Sequence, residues 1–573
     1  MNILETINSN EKNRRKYEYF LSLGYTKEAS AIMTLFTYGQ ISTAKFMMQC
    51  KNFKSACNKI EKAGMTTPRE NQFILSGTNR NISIPRLSFK SLKGAFPQKV
   101  ENICEEYSAG NVFMCRSSVA SPLMMEALAT DEYEPIEEKS EKSSITSPTS
   151  TFRMTTNTAS MGVLLMQARQ GRKISMSQVR IEEVLNYFDY SSNVKEHKKI
   201  SIDTALYEKS ENKSLLYINV DMGGERKKSQ NIVLLLDVSG SMSSNAECTQ
   251  EAIATILAKL EKGDTFSLIT YSDSDKTVYD GFKITSEKDK EKIMLSVMKL
   301  LIGGCTFGSA GIETAYKAAG KNYKKDCNNE VILITDGDLN FGITEKGSLK
   351  ELISEKKKEN VFLSVIGTGL WNYKDDKLEI LAKNGNGIYT VINNLDDVEE
   401  NINKRFYALT QVVAKDVKAQ VEFNPALVKT HRLLGYENRE LSHEDFSDDT
   451  VISEPYGLGG HGVALFELEM GEAESQLKYQ KAVLSGSNEI CEVRIRYKEP
   501  LEDESKEVVK VVNKTDKNDF DTELAYALYV KSEELRGSQK TDAADREFLK
   551  NFDSAKYEEL NGNRLRDFLE ITN

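Results

Sequence analysis

One short run constrains the fold of this chain more than any other: Asn231-Ile-Val-Leu-Leu-Leu-Asp-Val-Ser-Gly-Ser-Met242. Ile232 to Leu236 is continuous and aliphatic, and it is short. Such a run marks a strand covered on both faces, as in the middle of a parallel sheet. It ends in Asp237, followed by Ser239 and Ser241 in the spacing D-x-S-x-S. A carboxylate and two hydroxyls at alternate positions of a tight loop turn three oxygens toward one point. Three hard oxygens suit Mg²⁺, which takes oxygen ligands and keeps some of its waters. Gly240 lets the loop bend where a side chain would obstruct it.

Two later segments extend the pattern. Leu301-Ile-Gly-Gly-Cys-Thr-Phe-Gly-Ser-Ala-Gly311 is a glycine-rich loop with Thr306 near its middle. Val331-Ile-Leu-Ile-Thr-Asp-Gly-Asp338 is a second apolar strand, ending in Asp336. Ligands of open α/β sheets bind outside the carboxyl ends of the strands, where Asp237 and Asp336 are both expected.

D-V-S-G-S-M, then G-G-x-T, then T-D-G, in this order, resembles the von Willebrand factor A (vWA) domain with its metal-ion-dependent adhesion site. The resemblance implies Asp237, Ser239, Ser241, Thr306 and Asp336 as ligands of Mg²⁺, with Mn²⁺ accepted by the same oxygens, and Asp336 acting through water. It reaches further than that domain. Ser150-Thr-Phe152, Thr158-Ala-Ser160, Val179-Arg-Ile-Glu-Glu-Val-Leu-Asn-Tyr-Phe-Asp-Tyr190, Val421-Glu-Phe-Asn-Pro425 and Arg432-Leu-Leu-Gly-Tyr-Glu-Asn-Arg439 resemble the bacterial YfbK-like vWA proteins from about Thr149 onward. Thr155 and Asn157 stand where relatives often carry acids. Many relatives also have a lipoprotein signal or membrane anchor; Met1 to Phe20, studded with charges, has the features of neither.

The length of 573 residues implies several domains. No run of eighteen apolar residues predicts a membrane span. Eight cysteines without C-x-x-C pairs point to reduced thiols and a cytoplasmic location. The net charge of −10 hides an asymmetry, because the first hundred residues carry ten more Lys and Arg than Asp and Glu. A basic region of this kind can attract nucleic acid. Helical spacing of Tyr17, Tyr19, Phe20, Phe36 and Tyr38 favours core packing over base stacking, so a nucleic-acid partner is not expected.

The fold class expected is α/β: a doubly wound, mostly parallel, Rossmann-like vWA domain inserted in a β-rich flanking domain, with a helical N-terminal region. Residues 1–130 form the helical region, with breaks at Gly24, Gly39 and Gly64. Residues 131–150, acidic and then rich in Ser, Thr and Pro, have the composition of a linker. An N-terminal flank covers 151–226, where Ser177 is read as the cap of a helix with Ile181, Val184, Leu185 and Phe188 on its apolar side. The vWA domain covers 227–412, with strands at 231–237, 265–271, 330–335, 361–366 and 387–392 between amphipathic helices. One helix face holds Leu395, Val398, Ile402, Phe406 and Leu409; another holds Leu349, Leu352 and Ile353. A β-rich C-terminal flank covers 413–515, and the strands near 195–226 are expected to join it in a β-sandwich. Residues 516–573 read as helical.

Other constellations point elsewhere only by their letters. Gly457-Leu-Gly-Gly-His-Gly462 matches G-x-G-x-x-G but precedes a strand-like run, so it reads as a hairpin or loop and not as a nucleotide site. His197, His431, His443 and His461 lack the spacing of a zinc enzyme. No G-x-S-x-G elbow makes Ser239 or Ser241 a nucleophile. Asp338 is read as a loop hydrogen-bonding residue, and Glu444, Asp445, Asp448 and Asp449 as a solvated acidic loop. The expected function is metal-dependent binding of a protein partner, without catalysis, through a Glu or Asp of the partner. The alternatives are a metal-dependent hydrolase, which lacks an evident general base, and a scaffold whose basic N-terminal region recruits nucleic acid.

Overall fold

The computed structural model describes residues 7, 10–34, 135–192, 200–224, 229–239, 242, 245–272, 275–301, 311–325, 327–336, 361–368, 375–472, 488–500 and 502–572. The chain divides into two compact units, residues 1–129 with 291–298, and residues 130–290 with 299–573.

Within the first unit, helices Glu11–Ser22 and Lys27–Thr34 meet at Gly24, whose φ of +90° only glycine adopts freely. Asn10 caps the first of them by accepting the N–H of Asn13. The N–H of Thr26 donates to the Glu291 carboxylate at 3.0 Å. The expected breaks at Gly39 and Gly64 lie outside the described residues, as does the helix face at 349–353.

The second unit holds the strands. In chain order, β1 (Lys142–Ser143), β2 (Thr149–Arg153), β3 (Ser201–Ser210) and β4 (Lys213–Asp221) come first. Then follow β5 (Gln230–Asp237), β6 (Thr265–Tyr271), β7 (Asp275–Lys283), β8 (Asn328–Thr335), β9 (Phe362–Thr368) and β10 (Asn386–Ile392). The last group is β11 (Val412–Phe423), β12 (Val428–Leu434), β13 (Glu440–Leu441), β14 (Glu454–Gly457), β15 (His461–Met470), β16 (Glu489–Lys498) and β17 (Ser505–Asn513).

The α/β domain is a six-stranded sheet in the order β10-β9-β8-β5-β6-β7. All neighbours are parallel except β6 and β7. Ile232 to Leu236 of β5 are fully buried, as their uninterrupted aliphatic character requires. Strand β7 has no counterpart in the sequence reading: Asp275-Lys-Thr-Val-Tyr-Asp-Gly-Phe-Lys283 is a half-exposed edge strand, and its polar residues hide the pattern. The helix face from Leu395 to Leu409 is not one helix. It is broken into Leu395–Val398, a π-helical turn Glu399–Lys404 and Phe406–Thr410. At the break, the Arg405 guanidinium donates to the carbonyls of Asn186 and Tyr187.

Two antiparallel sheets flank this domain. One runs β1-β12-β15-β4-β3, the other β13-β2-β11-β16-β17, with β14 also paired to β11. Their facing side chains share one core, Leu206, Leu216, Ile218 and Phe466 against Phe152, Val421, Val493 and Ile495. The first sheet is covered on its other face as well. There Leu215, Tyr217, Val463 and Leu465 pack against helices Ala159–Arg169, Ile181–Tyr187 and Asp519–Arg536. That double coverage explains why β4 and β15 are buried almost without interruption. Helix Asp519–Arg536 stops at Gly537, in the left-handed region, where the N–H groups of Gly537 and Ser538 cap the carbonyls of Glu534 and Glu533.

Two local readings are corrected. Residues 131–150 are not a linker throughout, because β1 pairs with β12, β2 with β11, and Ser144 and Ser150 are buried. Short polar strands gain their hydrogen bonds from distant partners, so composition does not reveal them. Ser177 does not cap helix Ile181–Tyr187. Ser175 instead closes a capping box with Gln178 around the 3₁₀ turn Met176–Gln178. Gly457 to Gly462 turns from β14 into β15, with Gly459 at φ +75°, and a Cβ on Gly457 would overlap the Ala408 carbonyl.

Candidate metal centre

Strand β5 leads through helix Ala246–Lys259 to β6 on one side, while β8 pairs with its other side. The sheet order therefore switches direction between β5 and β8. This is where open α/β sheets bind ligands. The register pairs Leu236 with Ile334, so Asp237 ends β5 beside Thr335, the last residue of β8, and Asp336 follows immediately. Two strand ends thus bring Asp237 and Asp336 to one rim. Ser239 lies in the same turn, while Gly240, Ser241, Thr306 and Asp338 lie outside the described residues.

The two carboxylates are buried, with Asp237 at 1% and Asp336 at 7% exposure. The N–H of Ser239 donates to Asp237 Oδ1 at 2.9 Å. The hydroxyls of Thr335 and Tyr271 donate to Oδ2 at 2.8 and 3.1 Å. Burial pushes the Asp237 carboxyl above its ordinary range, and these hydrogen bonds oppose that shift. Among the described residues, the hydrogen bonds drawn to Asp237 come from neutral groups. A carboxylate so placed, with an adjacent hydroxyl and a second carboxylate on the neighbouring strand, has the chemistry a hard divalent cation requires. Among the described residues, no three His, Cys, Asp or Glu side chains cluster to hold a metal. A site here depends on hydroxyl oxygens. The sequence reading missed Thr335 and Tyr271. Both are ordinary strand-end residues in the sequence, and only the register places them beside Asp237.

The three described histidines have structural roles, while His197 lies outside the described residues. His431 Nε2 lies 2.8 Å from the Ser147 carbonyl, and the ring stacks on Phe423. His443 sits beside Thr149 and Gln420. His461 is buried, 3.0 Å from the Phe188 carbonyl. In the acidic loop, Asp449 pairs with Arg496, and Asp445 accepts the N–H of Ser442. Where relatives often carry acids, Asn186 donates to the carbonyls of Thr155 and Asn157 and accepts the N–H of Val463, tying helix Ile181–Tyr187 to β15.

The profile of the von Willebrand factor type A domain matches residues 231–405. A second, described as the C-terminal part of the uncharacterized protein YfbK, matches 408–573, and a third, described as von Willebrand factor, matches 127–216. The uncharacterized protein YfbK of Escherichia coli K12 is 30% identical over 468 residues, which is 77% of this chain and 80% of that protein. The chain belongs to the YfbK family of vWA proteins. Within that family the six-stranded sheet is the vWA domain, a protein-contact module whose relatives generically use a divalent metal. The human voltage-dependent calcium channel subunit alpha-2/delta-4 is 25% identical over 248 residues, 41% of this chain and 21% of that protein. Among solved structures, a von Willebrand factor type A protein from Catenulispora acidiphila covers 60% of this chain and 82% of its own. It does so at 13% identity and a TM-score of 0.35, too loose a likeness to argue from. In this YfbK-family chain the described part of 127–216 is no second α/β domain; it supplies β1, β2 and β3 to the flanking sheets.

Proposed function

We propose that the vWA domain binds a protein partner through a divalent cation, Mg²⁺ or Mn²⁺, held by Asp237, Ser239, Ser241, Thr306 and Asp336. The cation would supply an open coordination position for a Glu or Asp carboxylate of the partner. The observation that carries this reading is the pairing of two buried carboxylates at the ends of adjacent parallel strands, at the switch point of the sheet, with neutral donors on Asp237 among the described residues. Ser241 and Thr306 enter by the family pattern alone.

The chain's own residues do the preparatory work. The strand ends fix the two carboxylates, and the turn at Ser239 closes over Oδ1 of Asp237. Domain limits follow the same logic. The vWA domain takes 227–412, and the two flanks, 151–226 and 413–515, fold as one body with the helical segment 516–573. The described cysteines Cys248, Cys327 and Cys491 are buried and form no disulfide, which supports a reducing, cytoplasmic setting. No described helix is long and apolar enough to cross a membrane.

Calorimetric titration with MgCl₂ and MnCl₂ tests the ion, and capture of a partner with Mg²⁺ or with EDTA tests its use. Native protein takes up one ion and captures its partner only with the metal present; Asp237→Ala does neither. Absence of uptake by native protein overturns the reading, and so does equal capture by Asp237→Ala.

A further inference from the structure

We propose that Tyr271 is a positioning residue for this cation site: its phenol holds Asp237 in the one orientation that presents the carboxylate to the ion. The inference rests on the metal reading above and adds to it a residue outside the ligand set.

Tyr271 is the last residue of β6, and the parallel register places it directly opposite Asp237. Its hydroxyl donates to Asp237 Oδ2 at 3.1 Å, and its carbonyl accepts the N–H of Val238 at 3.0 Å. Main chain and side chain of one residue therefore grip the start of the D-x-S-x-S loop. From the opposite neighbour, β8, Thr335 donates to the same Oδ2 at 2.8 Å. The loop itself supplies the third bond, from Ser239 to Oδ1. Donors from three segments thus converge on the short Asp side chain.

The phenol can position Asp237 only because the ring cannot move. Tyr271 is buried, and the backbone of Gly311 lies against it: a Cβ on Gly311 would sit 3.0 Å from Tyr271 Cβ, 3.1 Å from Cγ and 3.2 Å from Leu235. Helix Gly311–Lys321 thus begins against the root of this side chain. Packing alone would be satisfied by Phe at this position. The hydroxyl is the part that packing does not explain; it donates to Asp237 and also meets the Thr335 side chain. Groups that hydrogen-bond a metal ligand without touching the metal typically change affinity by ~10–100-fold when removed.

The test is the Tyr271→Phe variant in the full chain, which keeps the ring on Gly311 and deletes the donor. Titration with MgCl₂ and MnCl₂ should show a dissociation constant raised about tenfold, with a metal-free melting temperature lowered only as far as the loss of one buried hydrogen bond requires. Placing 4-aminophenylalanine at position 271 restores an N–H donor and should recover most of the affinity, a rescue that a purely structural role would not give. If native protein binds the ion and Tyr271→Phe binds it equally well, this inference falls and the metal reading stands. If native protein binds no ion, both fall. Weakened binding that 4-aminophenylalanine fails to restore also overturns the positioning role.

Discussion

The guanidinium of Arg439 donates to the carboxylate of Glu379 at 2.6 Å, joining the turn after β12 to helix Asp375–Asn384 of the vWA domain. Arg439 also reaches Glu182 and Glu183, each at 3.1 Å, and Glu454. Arg180 shares Glu183 and Glu379. One buried arginine therefore gathers four carboxylates from three segments. Burial pushes the Glu379 carboxyl up, but Arg439 and Arg180 overcome this and hold it below the usual range. Removing one partner of a buried ionic cluster strands the others, at a cost of about 3–5 kcal/mol. Arg439→Met should lower the unfolding free energy in urea by that amount. Arg439→Lys should recover little of it, because a single ammonium cannot serve several carboxylates as the planar fork does.

His461 gives stability a defined pH dependence. Burial, and then repulsion from Arg405, lower its pKa to about 4, while Asp189 opposes the shift and Arg564 adds to it. The neutral ring donates its Nε2–H to the Phe188 carbonyl. Between pH about 4 and about 6.5 the unfolded chain carries a proton here that the folded chain does not. Stability from this residue is thus complete above pH about 6.5 and is lost as the pH falls toward 4, by up to about 3 kcal/mol. Urea unfolding across that window should show a shallower acid decline for His461→Gln, which keeps an N–H donor and cannot charge. Parallel curves for the two proteins would refute this account.

How legible the chain was depends on which force places each residue. Strands β5, β6, β8, β9 and β10 announce themselves as apolar runs because both of their faces are buried. Asp237 and Asp336 follow directly, as the residues that end two such runs. Tyr271 and Thr335 have no such signal: their role comes from register between strands that are far apart in sequence. The polar edge strand β7 and the strands β1 and β2 in a Ser/Thr-rich segment were hidden for the same reason, since hydrogen bonds to remote partners leave no local periodicity. The charged pair Glu182-Glu183 is on a buried helix, and Arg439, from beyond the vWA domain, is the partner that joins both carboxylates there.

The Asp237 carboxylate carries the last prediction, because it sets stability against binding. Without an ion, the described donors to this buried charge are neutral, and burial disfavours it. Asp237→Asn removes the charge while keeping the shape. Its carbonyl oxygen still accepts the N–H of Ser239, and its amide donates to the hydroxyl of Thr335 or Tyr271, reversing the direction of the native bonds. In EDTA this variant should therefore melt at or above the native temperature. Mg²⁺ should reverse the order: a ligand at a hundred times its dissociation constant stabilises the folded state by about 2.7 kcal/mol, and only the native protein should gain it. Thermal melts of both proteins, with EDTA and across a MgCl₂ series, read this crossover directly. A native melting temperature that ignores Mg²⁺, or a variant that rises with it as the native protein does, would show that this rim of the sheet does not hold the cation.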